Sequence, residues 1–227
     1  MNPQEIFGLQ QPPFDLSHLT DLRDGMKEIK RKFYEWNYPK MKGIQKNERV
    51  FAYELYHQFR LITEPKLEYN TMRFDGELTK LLKANPIDLL GIVFQSAWTQ
   101  KRFTPDLVLH LGQENAQTHN QKFILEIKTK NVADDEFKKT FLKLHHYISS
   151  LSFQYAVFVS VNSTFHDFKQ RAYSFFNHTN ALQRTHFDRI ILMNYNEVDQ
   201  VNKNNNVNCI SLNHLLNTWN ANVVPQN

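Results

Sequence analysis

A single cysteine, Cys209, stands in 227 residues. Its solitude excludes an internal disulfide framework and any cysteine-rich zinc ribbon, and it favours a reducing compartment. Glycine and proline are scarce, at six and eight residues, which leaves no flexible linker, collagen-like array or solenoid repeat. No stretch approaches the ~20 apolar residues of a membrane span. The opening Met1-Asn2-Pro3-Gln4-Glu5 has no basic start followed by an apolar run, so a soluble, cytoplasmic protein without membrane association is expected. GxSxG elbows, Walker loops, GxGxxG fingerprints and HExxH pairs are missing too, and with them any support for a serine hydrolase, an NTPase, a dinucleotide enzyme or a zinc protease. What is present is 41% apolar and 13% aromatic residues, enough to bury a sizeable core. A net charge of +4 and a pI near 9.0 tilt the chain mildly toward polyanionic partners.

Hydrophobic spacing gives the organisation. Leu19, Leu22, Met26, Ile29 and Phe33 recur at steps of three and four, which predicts a helix from about Ser17 to Trp36 with Lys27, Lys30, Arg31 and Lys32 on its other face. Residues 1–46 thus read as an N-terminal helical extension packed on a domain of residues 47–227. A second helix is expected from about Asn47 to Leu61, before Pro65. From Lys66 to Arg102 the pattern is ambiguous, although Leu67 to Phe74 alternates as a strand does. Pro105–Leu111 and Lys122–Lys128 are short apolar runs around a polar loop with Gly112, the mark of a buried antiparallel hairpin. A helix from Ala133 to Ser150, a strand Tyr155–Val161, a helix Thr164–Asn177 and a final strand Arg189–Met193 follow. The tract Asn202–Asn206 reads as a loop before a C-terminal helix, Leu212–Trp219. The fold class is α/β, a mixed sheet with helices on its faces.

The polar residues of the hairpin carry the chemistry. Alternation puts Ile124, Glu126 and Lys128 on one side of the second strand, and Asp106, Val108 and His110 on one side of the first. In an antiparallel hairpin the start of one strand lies beside the end of the next, so Asp106 and Glu126 converge with Lys128 at one end of the sheet. Such charges are costly in an apolar sheet unless paired, solvated or bound to a cation. Two carboxylates match Mg2+, with Mn2+ able to substitute. Lys128 beside the metal is expected to have a lowered pKa and to orient or deprotonate a water. The reaction this favours is phosphodiester hydrolysis. The competing reading is a strand-end ion pair worth only ~0–1 kcal/mol.

Pro105-Asp106, nineteen intervening residues and Glu126-Ile127-Lys128, each after apolar strand residues, resemble the PD-(D/E)XK nucleases. The resemblance spans roughly Asn47 to Val161. It implies a restriction-endonuclease-like three-layer core of helix, β-meander, helix and strand. It also implies a Mg2+-dependent nuclease, a DNA endonuclease of bacterial defence, repair or mobile-element type, with DNA the preferred partner over RNA; apart from the resemblance, the basic N-terminal helix is a candidate phosphate contact or homodimer contact. By the same resemblance Asp106 and Glu126 bind metal, the backbone carbonyl of Ile127 completes the sphere, Lys128 serves the attacking water, and Glu54 on the preceding helix supports water or a second ion. Where some members carry a glutamine and a tyrosine on the next helix, this chain offers His145, His146 and Tyr147. Arg60, Lys101, Arg102 and Lys130 are candidate phosphate contacts. The alternative is a catalytically inactive nucleic-acid-binding or protein-interaction module on the same fold.

Overall fold

The computed structural model describes residues 2–30, 35–36, 45–46, 48–76, 105–111, 118–129, 133–161, 163–177, 184–196 and 207–219. Helices α1 (Pro3–Phe7) and α2 (Ser17–Lys27) precede a two-residue ladder, β1 (Glu35–Trp36) against β2 (Gln45–Lys46). Then come helix α3 (Glu48–Thr63), strands β3 (Met72–Gly76), β4 (Leu107–Leu111) and β5 (Gln121–Lys128), and helix α4 (Asp134–Ser149). Strand β6 (Tyr155–Val161), helix α5 (Phe165–Asn177), strands β7 (Ile190–Tyr195) and β8 (Val207–Ser211), and helix α6 (Leu212–Thr218) complete the order. No helix among the described residues is long and apolar enough to cross a membrane.

Six strands form one mixed sheet in sequence order, β3 to β8. The pairs β3–β4 and β4–β5 are antiparallel, β5–β6 and β6–β7 parallel, and β7–β8 antiparallel. Two hydrophobic layers sandwich it. Leu107, Leu109, Phe123, Leu125, Ile127, Val157 and Met193 face α1, α2 and α3, whereas Val108, Ile124, Ala156, Phe158 and Leu192 face α4, α5 and α6. Strands covered on both faces read as continuous apolar runs, which is why β5, β6 and β7 were legible in the sequence. Phe7, Leu19, Leu22 and Met26 belong to the same buried cluster as the sheet, so the N-terminal helices are a wall of the core.

Several elements differ from the sequence expectation. Helix α2 stops at Lys27 instead of continuing to Trp36. The Tyr195 hydroxyl donates to the Ile29 carbonyl, a tertiary bond in place of further helix, while Ile29 stays buried. The Leu67–Phe74 stretch divides into a 3-10 turn at Leu67–Tyr69 and the start of β3. Strand β7 is not the last: β8 pairs along it, Tyr195 opposite Val207. Only the two ends of β8 are buried, so the edge strand lacks the apolar run that marks the central ones. Gly25 is where α2 meets α3: a Cβ there would lie 3.2 Å from the Phe59 backbone nitrogen, so the absence of a side chain permits the contact.

Candidate active site

The hairpin register brings the carboxylates together. Leu107 pairs with Leu125, so Asp106 and Glu126 stand opposite each other one step further along. The Asp106 backbone N–H donates to the Leu125 carbonyl at 3.1 Å, and Asp106 Oδ2 accepts the Ile127 N–H at 2.6 Å. Asp106 is therefore gripped by β5 from both its backbone and its side chain. Its Oδ1 has no hydrogen-bond partner among the described residues. Lys128 is two residues beyond Glu126, on the same side of β5.

Helices on both faces of the sheet complete the cluster. Lys128 Nζ donates to Glu48 Oε1 at 3.0 Å, from the first turn of α3, and lies 3.4 Å from Glu136 Oε1 in the first turn of α4. Glu126 is 2% exposed and both its oxygens are held by α4: Tyr147 donates its hydroxyl to Oε1 at 2.8 Å, and Lys143 Nζ donates to Oε2 at 2.9 Å. Lys143 and Tyr147 are four apart, one above the other on one helix face, while Phe141, Leu144 and Ile148 hold that helix on the sheet.

Burial governs the electrostatics. It pushes the Asp106 carboxyl up to about 7, reinforced by repulsion from Glu126 and Glu48 and opposed by the Ile127 N–H and by Lys128. Burial also raises Glu126, against Lys143 and Tyr147, which favour its anion. Tyr147 is held well above the ordinary phenol range by burial and by the adjacent Glu126. The expectation of a lowered Lys128 pKa is corrected in the protein alone: burial lowers it, but Glu48, Asp106 and Glu126 together outweigh burial and raise it. Lys128 is an ammonium here, because it is enclosed by acids.

Four carboxylates, Glu48, Asp106, Glu126 and Glu136, stand against two ammonium groups, Lys128 and Lys143. Fully ionised, the cluster has two uncompensated negative charges, and desolvation makes charge costly at Asp106 and Glu126, whereas the Glu48 and Glu136 side chains remain 35% and 50% exposed to water. That deficit fits a divalent cation. Among the described residues no three His, Cys, Asp or Glu side chains are grouped as a metal site. A bound Mg2+ would draw on Asp106 and Glu126 alone, in keeping with an ion that takes one or two carboxylates and fills its sphere with water and phosphate oxygens. Each carboxylate oxygen has a second lone pair beyond the hydrogen bond it accepts.

Glu54 is not brought to this cluster. It accepts from Gln58 Nε2 at 2.8 Å, and among the described residues the ion-pair partners of Lys128 are Glu48 and Glu136, not Glu54, which is also not among the leading charges on Asp106 or Glu126. Glu48 occupies the place expected for it. Glu48 begins the stripe that continues through Phe51, Ala52, Leu55 and Phe59, all buried, whereas Glu54 lies off that stripe. Arg60 is exposed, pairs with Glu64 at 3.7 Å, and lies about 18 Å along the helix from Glu48 at 1.5 Å per residue. Lys101, Arg102 and Lys130 lie outside the described residues. Sequence reasoning missed Glu48, Glu136 and Lys143, and it named Tyr147 on the helix after Lys128 without giving it a role. The first had a signal, in register with an apolar stripe, and Lys143 and Tyr147 had their four-residue spacing. No protein-family model, curated protein or solved structure matches the chain.

Proposed function

We propose that this chain is a metal-dependent nuclease that hydrolyses phosphodiester bonds, DNA in preference to RNA. The observation that carries the reading is the pairing of Asp106 and Glu126 across β4 and β5, Glu126 buried and Asp106 partly so, with Lys128 beside them and a net charge that calls for a divalent cation. The succession α3, β3–β4–β5, α4, β6 is the helix, meander, helix, strand order of the restriction-endonuclease-like fold, which supports the reading at the level of topology. A bound Mg2+ would supply Lewis-acid polarisation of a nonbridging phosphate oxygen. Asp106 presents oxygen at the strand entry, held by the Ile127 N–H. Glu126 is kept from rotating by Lys143 and Tyr147. Lys128, protonated, offsets the charge that builds on the phosphate; as an ammonium it does not take the proton of the attacking water, which passes to a phosphate oxygen or to solvent. Glu48 and Glu136 hold its ammonium in place.

Incubation with plasmid and with RNA, with Mg2+ and with EDTA, tests the reading. Mg2+-dependent cleavage lost in Asp106→Ala and Lys128→Ala supports it, and cleavage at the parent rate by both variants sinks the site assignment. The occupation of both Glu126 oxygens by Lys143 and Tyr147 favours a second reading, a binding module whose polar centre is structural. Salt-sensitive binding in EDTA without cleavage in metal is its signature.

A further inference from the structure

Along the seam between α3 and the edge strand β3 run two cavities that share Tyr56, Phe74 and Asp75. The larger, ≈ 610 Å³, has Glu48 and Asp106 at one end and Tyr53 on its outer wall. The smaller, ≈ 320 Å³, continues to Arg60 and Arg73. Resting on the nuclease reading of the carboxylate cluster, we propose that this seam is the path of an unpaired DNA strand, laid from Arg60 and Arg73 toward Asp106, with Tyr53 as a stacking surface for a base.

Three features identify the occupant. Tyr53 is a large aromatic ring left 61% exposed beside a polar reaction centre. A π-face of this kind serves only a base that is not already stacked in a duplex, where edges alone are offered. The floor is aromatic too, Tyr56 and Phe74 lying parallel at 5.3 Å and 4°. Two acids of the wall already have partners, Glu48 in Lys128 at 3.0 Å and Asp75 in the His110 ring nitrogen at 3.0 Å, so the uncompensated negative charge lies at the Asp106 end, where the divalent cation of the nuclease reading would bind. The Arg60 and Arg73 side chains are each 56% exposed; among the described residues they make long ion pairs, 3.7 Å to Glu64 and 3.5 Å to Asp75, and the Arg60 guanidinium lies 5.9 Å over the Tyr56 ring. Pairs of that kind exchange readily for phosphate. The cavities have the size of sites that hold small ligands, and their volumes suit a few nucleotides in single file. From Glu48 to Arg60 the wall is about 18 Å long, the reach of a short strand.

The test measures binding in EDTA, so that it needs no cleavage. A fluorescein-labelled dodecathymidylate and a duplex of equal length are titrated with the whole protein. The unpaired strand binds about tenfold or more tightly than the duplex. Tyr53→Ala loses about tenfold while Tyr53→Phe, which keeps the ring, binds as the parent does. Replacing Arg60 and Arg73 together with alanine reduces the slope of log affinity against log salt by about 1.4, two single-strand phosphate contacts at about 0.7 each. Equal affinity for strand and duplex, or a Tyr53→Ala protein that binds as well as Tyr53→Phe, overturns the proposal. The two readings separate: Tyr53-dependent binding with no cleavage in Mg2+ upholds the seam and sinks the nuclease, whereas Mg2+-dependent cutting of strand and duplex alike, unchanged in Tyr53→Ala, does the reverse.

Discussion

Replacing Asp106 with asparagine should stabilise the metal-free protein at alkaline pH and leave it unchanged in acid. The native carboxyl is pushed up to about 7 from an ordinary 3.8. Between those values the folded protein holds a proton that the unfolded chain has released, so unfolding free energy falls as pH rises, by about 1.4 kcal/mol per pH unit. Stability due to this group is fully present below pH 4 and lost as pH passes 7. Across about three units the loss is roughly 4 kcal/mol. Glu126 is shifted in the same direction and steepens the decline, whereas Lys128, raised from 10.5, loses its contribution only in strong alkali. Asparagine carries no charge, and its amide oxygen still accepts the Ile127 N–H. At pH 8 in EDTA, Asp106→Asn should therefore be more stable than the parent by about 2–4 kcal/mol, and within about 1 kcal/mol of it at pH 4.5. At about 2–4 °C per kcal/mol for a chain of this size, the melting temperature rises by on the order of 10 °C at pH 8. Urea unfolding followed by tryptophan fluorescence at both pH values measures it. Adding Mg2+ at pH 8 should raise the midpoint of the parent and leave the variant nearly unmoved. A parent whose stability is flat from pH 4.5 to 8, or a variant less stable than the parent at pH 8, refutes the claim that Asp106 is a costly buried acid.

The remaining expectations follow from the same contacts. Tyr147→Phe removes one donor from a buried carboxylate and should cost about 1–3 kcal/mol at pH 8, read as a lower urea midpoint. Lys143→Met leaves Glu126 without its ammonium and should cost more, about 3–5 kcal/mol; pairing it with Glu126→Gln should recover part of the loss in a double-mutant cycle, and strict additivity would show that the two groups do not interact. Glu48→Gln should lower Mg2+-dependent cleavage at least tenfold, by loosening the grip on Lys128, while Glu54→Gln leaves it within about twofold. Equal effects of the two on plasmid nicking rates would return the role to Glu54.

Much of the framework was written in local pattern. Strand β6 occupies the residues that its apolar run marks, and α4 lies within one residue of its periodic stretch, because elements buried on a sheet must present a continuous or helically spaced apolar surface. The Pro105-Asp106 and Glu126-Ile127-Lys128 pair was legible for a related reason: charges at the ends of apolar strands break the pattern in a way burial alone does not reward. Tertiary structure decided what meets them. The choice of Glu48 over Glu54 depends on which side of α3 lies against the sheet, and a six-residue difference along a helix turns a side chain by about 240°. Lys143, Tyr147 and Glu136 reach the centre because β5 and β6 run parallel, so the chain must cross over the sheet and return as α4. The protonation of Lys128 is a property of that assembly: three acids from three elements hold its proton, and a pKa is set by neighbours in space, which a linear sequence does not name.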